Sequence, residues 1–372
     1  MKKKLIILAF GGKSWIGGIY YKKNILFQLL QNENIVSAVD IVVMTSPEIK
    51  HVFEDVPGNF QIIALDEKEV FGNKFRSVWF FIKNRGNYVF PCTNFRAAWF
   101  GVKGIFWIPD FQHHHCPQYF QQNDINNRIK FEKNVEKSTL SLVLSSRDAL
   151  SDCNSLYKKQ NIFVVPFVSF IEPTLRKMTR NYECLVLNKY GLKGKKYACL
   201  MNQFWQHKNH IVFFKALEIY ISNGESDFEF VLTGKMEDYR SPKYIEMIKK
   251  IYEDEKIKKC VKLLGFIDRE EQLALMKNAE YIIQPSLFEG WGTVVEDAKV
   301  LDKTILLSDI PIHREQKNNK CILFNPHDPN ELAQLIVKEN NKTHVSSLEY
   351  GITDMRNRAK EYSKGFQALL GC

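Results

Sequence analysis

The sequence predicts an α/β protein of two tandem, doubly wound domains facing a cleft. Short β-rich apolar runs alternate with longer helical patterns, as in a parallel sheet covered by helices on both faces. The alternation breaks once, over 168–195, and then resumes. At 372 residues the chain is also too long for one core of ordinary size.

Taken in order, the first series of strand candidates is 5–10, 40–45, 60–65, 87–91, 104–109, 140–146 and 162–167. Helical patterns such as 19–31 and 125–137 lie between them. The second series is 197–202, 228–234, 260–266, 279–285, 304–309 and 320–324, with helices such as 208–222 and 242–255. The expected domains are 1–175 and 176–345. A C-terminal helix, 346–372, follows, and its return to the first domain is left open. In doubly wound sheets ligands bind beyond the carboxyl ends of the strands, and with two sheets the natural site is the cleft between them.

Composition excludes several classes. Hydrophobic residues make up 45% and charged residues 25%, as in ordinary folded proteins. No short-period repeat is visible, which argues against a solenoid. The opening "MKKKLIILAFGG" has too short an apolar run for a leader and reads as a first buried strand. No stretch approaches the roughly 18 apolar residues of a spanning helix. The eight cysteines are scattered, with no Cys-x-x-Cys pair, as for free thiols in a reducing, cytoplasmic setting. The net charge of +10 is lopsided: residues 1–170 carry +7 and the rest +3. A basic half suits phosphorylated ligands or anionic lipid. Nucleic acid is the weakest reading, because Lys and Arg are dispersed and no nucleic-acid motif accompanies them.

The chemistry gathers at strand ends. "GGKSWIGG" (11–18) follows the first strand. It lacks the upstream glycine of a Walker A loop, since that position is Ile7. Gly17 and Gly18 instead fall at a helix N-terminus, which favours an anion, or simply form a strand-to-helix turn. "WIPDFQHHHCPQYF" (107–120) puts Asp110 and His113 beyond another strand. Three adjacent histidines rarely address one ion, so no metal site is assigned; His114 and His115 read as a half-exposed loop. "NQFWQHKNH" (202–210) places Lys208 at a helix start, where a cation is unfavourable unless an anion binds. In "LLGFID" (263–268), Gly265 lets a planar base approach the backbone, and Asp268 with Glu271 fits a capping box.

"SLFEGWGTVVEDAK" (286–299) is the densest stretch. Gly290 and Gly292 form a turn between strand and helix. The N–H groups from Gly292 to Val294 can cradle a phosphate, and Glu296 or Asp297 can accept two adjacent hydroxyls. Helix capping also accounts for Glu296 and Asp297, but not for Glu289, which precedes the turn.

This stretch resembles the signature of group 1 (family 4) retaining glycosyltransferases of the GT-B fold, in which two acids bracket a Gly-aromatic-Gly turn. "WIPDFQH", "NQFWQHKNH" and "SDIPIHREQ" resemble its polysaccharide-building, mannosyltransferase-like members. The resemblance implies two Rossmann-like domains and hexose transfer, with retention, from a nucleotide-diphosphate sugar to a glycan or lipid-linked acceptor. It implies no cofactor and no metal, and no usefully placed Asp-x-Asp motif is present. Glu289 would contact the transferred sugar. The backbone of Gly290, Trp291, Gly292, Thr293 and Val294 would hold sugar and β-phosphate, and Lys208 would bind the diphosphate. Gly265 and Phe266 would bracket the base. Gly17 and Gly18 would approach the phosphates, and His113 with Asp110 would line the sugar site. With seven residues between the two acids, as in the family pattern, the second falls on Asp297, while the glutamate is Glu296. The family's arginine is Asn202 here, so the phosphates must be met by other groups. An epimerase or phosphorylase of the same fold, or a non-catalytic carbohydrate- or nucleotide-binding subunit, are the alternatives.

Finally, "VFGNKFRSVWFFIKNRGNYVF" (70–90) places Phe71, Phe75, Trp79 and Ile82 near helical spacing among Lys74, Arg76, Lys83 and Arg85. Such a helix suits peripheral contact with an anionic membrane. Packing on the sheet is the expected use of Phe75 and Ile82.

Overall fold

The computed structural model describes residues 2–11, 16–224 and 228–372. Its strands are β1 (Lys3–Ala9), β2 (Val39–Thr45), β3 (Gln61–Ala64), β4 (Tyr88–Phe90), β5 (Lys103–Ile108), β6 (Ser141–Leu144) and β7 (Ile162–Val164), then β8 (Tyr197–Met201), β9 (Glu229–Thr233), β10 (Val261–Leu263), β11 (Tyr281–Gln284), β12 (Thr304–Ser308) and β13 (Cys321–Phe324). They form a seven-stranded sheet, β3-β2-β1-β4-β5-β6-β7, and a six-stranded sheet, β10-β9-β8-β11-β12-β13. Every pairing is parallel. Each strand coincides with one of the thirteen apolar runs. Both sheets reverse direction of winding beside their first strand, β1 or β8, as doubly wound sheets do.

The chain divides into two compact units: Met1–Phe111, Gln122–Phe170 and Met355–Cys372, and Gln112–Gln121 with Ile171–Asp354. In the first, Ile6, Val42, Val89, Phe106 and Leu142 from five neighbouring strands share one core. The end of the final helix, Leu348–Leu370, packs into that unit. Phe366 meets Phe90 edge-on at 5.1 Å. A Cβ on Gly365 would lie 2.3 Å from the Val164 carbonyl oxygen, so only glycine lets the helix come this close to β7. In the second unit, Leu200, Leu232, Ile283 and Leu306 are buried between helices that include His210–Ser222 and Pro329–Asn340.

Three expectations need correcting. Residues 112–121 precede the boundary drawn from sequence, yet they cluster with the second unit. Their rings find partners there: His115 lies 5.5 Å from Phe288, and Tyr119 lies 6.2 Å from His207. Second, helix Lys74–Lys83 does not use Phe75 and Ile82 to pack. Phe80 and Phe81 are its buried residues, held edge-on against each other, while Phe75 is 87% and Ile82 50% exposed. Third, Asp268 caps helix Arg269–Asn278 without its side chain. Glu271 turns away, accepting hydrogen bonds from Lys189 and Tyr190, which outcompete a box.

Candidate donor site

The site is built on the second unit, at the carboxyl ends of its central strands. Gly234, just past β9, pins three of these ends together. Its N–H donates to the Gly265 carbonyl at 2.8 Å, and a Cβ there would lie 2.1 Å from the Asn202 carbonyl oxygen. Its φ of +115° is a second reason that only glycine fits. Gly265 also has positive φ, +69°, but faces open space, and Phe266 beside it is 66% exposed.

Lys208 ends a 3-10 turn, Gln206–Lys208, two residues before its helix starts at His210. Asn209 between them is left-handed, φ 56°, a conformation asparagine tolerates. Its amide donates to the carbonyls of Pro285 and Pro326 at 3.0 and 2.8 Å. The Leu287 N–H donates to the His207 carbonyl at 2.7 Å. These bonds fix the lysine turn against the loop that follows β11.

That loop carries Glu289. Lys208 donates to both of its carboxylate oxygens, at 2.7 and 2.8 Å. Oε1 also accepts from the Ser286 hydroxyl at 2.7 Å and the Gln284 amide at 2.8 Å. Gln284 in turn accepts from the Asn202 amide at 2.9 Å. Burial pushes the Glu289 carboxyl up, but the Lys208 ammonium and the hydrogen bonds to Lys208 and Ser286 outweigh it and hold the pKa at about 2. Behind this group the Ser308 hydroxyl donates to the Ser286 carbonyl at 2.6 Å, and the His313 Nδ1–H donates to the Ser308 carbonyl at 2.9 Å. Burial lowers the His313 pKa to about 4, so the ring is neutral at pH 7.

The glycine turn leads into helix Thr293–Val300. Gln316 spans the turn, accepting from the Gly292 N–H at 3.2 Å and donating to the Gly292 carbonyl at 2.9 Å. The Gly292 amide therefore serves the fold and not an anion cradle. Gly290 and Trp291 complete the turn, and Trp291 is buried. Thr293 and Val294 sit in the first helical turn, where N–H groups lack carbonyls one turn back. Glu296 and Asp297 are fully buried. Glu296 accepts from Lys299 at 2.9 Å and from Gln316 at 3.0 Å; Asp297 accepts from Arg269 at 2.5 Å.

The structure thus joins Asn202, Lys208 and Glu289 in one hydrogen-bonded group. It places the Gly290–Val294 turn next in the chain, and Gly265 beside Asn202 through Gly234. His113 belongs to this unit and is buried. Gly17, Gly18 and Asp110 belong to the other unit. Gly17 and Gly18 are the second and third residues of helix Ile16–Leu30, and Asp110 lies two residues past β5. Positions 12–15 of the first glycine loop lie outside the described residues.

Residues 187–364 match the family "Glycosyl transferases group 1". By sequence, this stretch of the chain is similar to the group 1 glycosyl transferases. The O-antigen biosynthesis glycosyltransferase WclY of Escherichia coli is 28% identical over 98 residues, 26% of this chain and 27% of its own. The match therefore spans about a quarter of that relative's length. Among solved structures, a glycosyltransferase from Rickettsia africae is similar over 99% of this chain and 96% of its own, at 14% identity and a TM-score of 0.63. HepE of Anabaena, solved with UDP and glucose, is similar over 98% and 95%, at 14% identity and a TM-score of 0.64. At such identities the likeness is one of fold, and that fold is GT-B.

Sequence reasoning missed Gln284, Ser286, Ser308, His313 and Gln316 as members of the group. The first two sit in an apolar strand end and His313 in a short helix, and no spacing rule links them. It also missed Asp238, which accepts from the Gln206 N–H at 3.0 Å and from Arg240 at 3.2 Å.

Proposed function

We propose that the protein is a glycosyltransferase that moves a hexose from a nucleotide-diphosphate sugar to a glycan or lipid-linked acceptor, with retention of configuration. The observation that carries this reading is the bidentate Lys208–Glu289 pair at the strand ends, beside a glycine turn and a helix start. An ammonium and first-turn amides suit a diphosphate leaving group; a carboxylate suits sugar hydroxyls. On donor entry the diphosphate takes Lys208, and the Glu289 oxygens so released accept from the sugar. The acceptor hydroxyl attacks the anomeric carbon on the leaving group's face. The bond from that carbon to the phosphate oxygen breaks, and the departing diphosphate takes the hydroxyl proton. No protein nucleophile and no metal are invoked.

The family match and the O-antigen relative support a role in cell-surface polysaccharide synthesis. HepE has also been solved in complex with UDP-glucose, which makes that the first donor to try here, with GDP-mannose beside it. The free cysteines suit a cytoplasmic site of action. The His113 ring, in the same unit as Lys208 and Glu289, is proposed to line the sugar side. The test is nucleotide release from a panel of UDP-, GDP-, ADP- and dTDP-sugars. Release from one donor supports transfer; binding without turnover under any acceptor supply would make this a carbohydrate- or nucleotide-binding subunit.

A further inference from the structure

Helix Lys74–Lys83 in the first unit carries an apolar stripe that the fold does not cover. Phe75, Val78, Trp79 and Ile82 follow the i, i+3, i+4, i+7 spacing of one helical face. They are 87%, 38%, 57% and 50% exposed. The helix itself is firmly seated: Phe80 and Phe81 are buried, Asn73 accepts from the Arg76 N–H at its start, and Phe81 stacks on Phe100 at 6.1 Å. Phe100 belongs to the turn Ala97–Phe100, whose Trp99 is 77% exposed. Trp99 is therefore exposed on a turn that packs against the helix's buried side. Scattered exposed apolar residues are ordinary, but four on one face of one helix, a phenylalanine and a tryptophan among them, are not.

The charge carried by the helix and the chain after it is one-sided, although Asp66, Glu67 and Glu69 lie at the cap and first turn of the short helix packed beside its start. Between Glu69 and Asp110 the chain has no acidic residue and six basic ones: Lys74, Arg76, Lys83, Arg85, Arg96 and Lys103. All six are exposed. Two of them hold their charged heads near the aromatic rings. The Lys83 ammonium sits 4.9 Å from the Trp79 ring centre, and the Arg96 guanidinium 5.3 Å from that of Trp99. Amphipathic tryptophans beside basic heads are the chemistry of an anionic lipid interface, where rings enter the headgroup layer and cations meet phosphates. Among the described residues no helix is long and apolar enough to cross a membrane, so such contact would be peripheral.

We propose that this face docks the protein on an anionic lipid bilayer, with Phe75, Trp79 and Ile82 inserted and Lys74, Arg76 and Lys83 at the headgroups. The inference does not rest on the transferase reading, and it is tested without any donor. The whole chain is floated with vesicles of equal phosphatidylglycerol and phosphatidylcholine, and with phosphatidylcholine alone. Binding is expected to the anionic vesicles and to be at least ten-fold weaker to the neutral ones. The double substitution Phe75→Ser with Trp79→Ser is expected to weaken binding at least ten-fold. Changing Lys74, Arg76 and Lys83 to Gln removes about five-fold per charge, roughly 100-fold together. All these side chains are exposed, so the thermal midpoint should stay within a degree or two of the parent. Absence of binding to anionic vesicles, or binding that neither variant weakens, overturns the proposal. So does a concentration-dependent dimer, seen by sedimentation, that the Ser variant abolishes while vesicle binding is absent; the face would then join two copies of the chain.

Discussion

Glu289 accepts hydrogen bonds from Lys208 at both carboxylate oxygens, 2.7 and 2.8 Å away, in a pocket where the carboxylate is 9% exposed. Removing the lysine strands a buried charge that Ser286 and Gln284 only partly satisfy. Lys208→Ala should therefore destabilise the second unit by about 2–4 kcal/mol. Adding Glu289→Ala should return part of that loss, because the stranded charge goes too. Urea unfolding of the two single variants and the double variant gives the coupling directly.

Two glycines at the strand ends should respond differently to alanine. At Gly234 a Cβ meets the Asn202 carbonyl at 2.1 Å on a positive-φ backbone, so Gly234→Ala should cost roughly 3 kcal/mol or more. At Gly265 the added methyl meets nothing, and Gly265→Ala should cost only about 1 kcal/mol from its left-handed φ. If a nucleotide base lies on Gly265, the same methyl should weaken nucleotide binding clearly more than it weakens the fold. Calorimetric titration beside thermal unfolding separates the two effects.

Three buried histidines make the second unit sensitive to mild acid. Burial lowers His207 and His210 to a pKa of about 3 and His313 to about 4. Unfolded, each would titrate near 6.5. The folded state thus binds fewer protons, and stability falls as pH drops below about 6.5, by up to about 1.4 kcal/mol per unit for each ring. Glu289 behaves otherwise. Its depressed pKa of about 2 gives stability that is whole above the unfolded value near 4.3 and is lost only below it. Loss between pH 6.5 and 5 should therefore come from the histidines. His210 stacks on Phe204 at 4.0 Å, and both its ring nitrogens are buried without a hydrogen bond. His210→Phe should flatten the pH dependence of the unfolding midpoint over that range; an unchanged slope would contradict this account.

Gln316 ties the glycine turn to the acid pair behind it. It makes two bonds to Gly292 and one to Glu296, all buried. Gln316→Leu leaves the buried Gly292 N–H without its acceptor and takes one of two donors each from the Gly292 carbonyl and Glu296, which keep the Glu296 N–H and Lys299, and should cost about 1–3 kcal/mol. Hydrogen exchange should show the Gly292 amide losing protection more than the strand amides of β11.

How far the sequence reached follows from its periodicities. All thirteen strands were legible, because parallel strands buried on both faces read as continuous apolar runs. Lys208 and Glu289 were legible as separate residues with separate reasons. Their direct pairing was not, since 81 positions separate them and only the fold's strand order brings them together. Gln284 and His313 were missed because a buried polar side chain gives no periodic signal. Phe75 was misassigned for a related reason. A stripe of apolar residues shows which face of a helix is apolar, and the adjacent Phe80–Phe81 pair decided which face was covered. The segment 112–121 was assigned by chain order, whereas its ring contacts place it with the second unit.

The most direct test of the central claim is titration of the whole chain with UDP-glucose and GDP-mannose, and with the corresponding free diphosphates, for the parent, Lys208→Ala and Glu289→Gln, each checked for folding by its thermal transition. The account predicts that Lys208→Ala weakens both the sugar nucleotide and the free diphosphate at least ten-fold. It predicts that folded Glu289→Gln keeps the diphosphate but loses the extra affinity and the turnover that the sugar confers. Equal binding of one nucleotide sugar by parent and both folded variants would place the donor elsewhere and contradict the account.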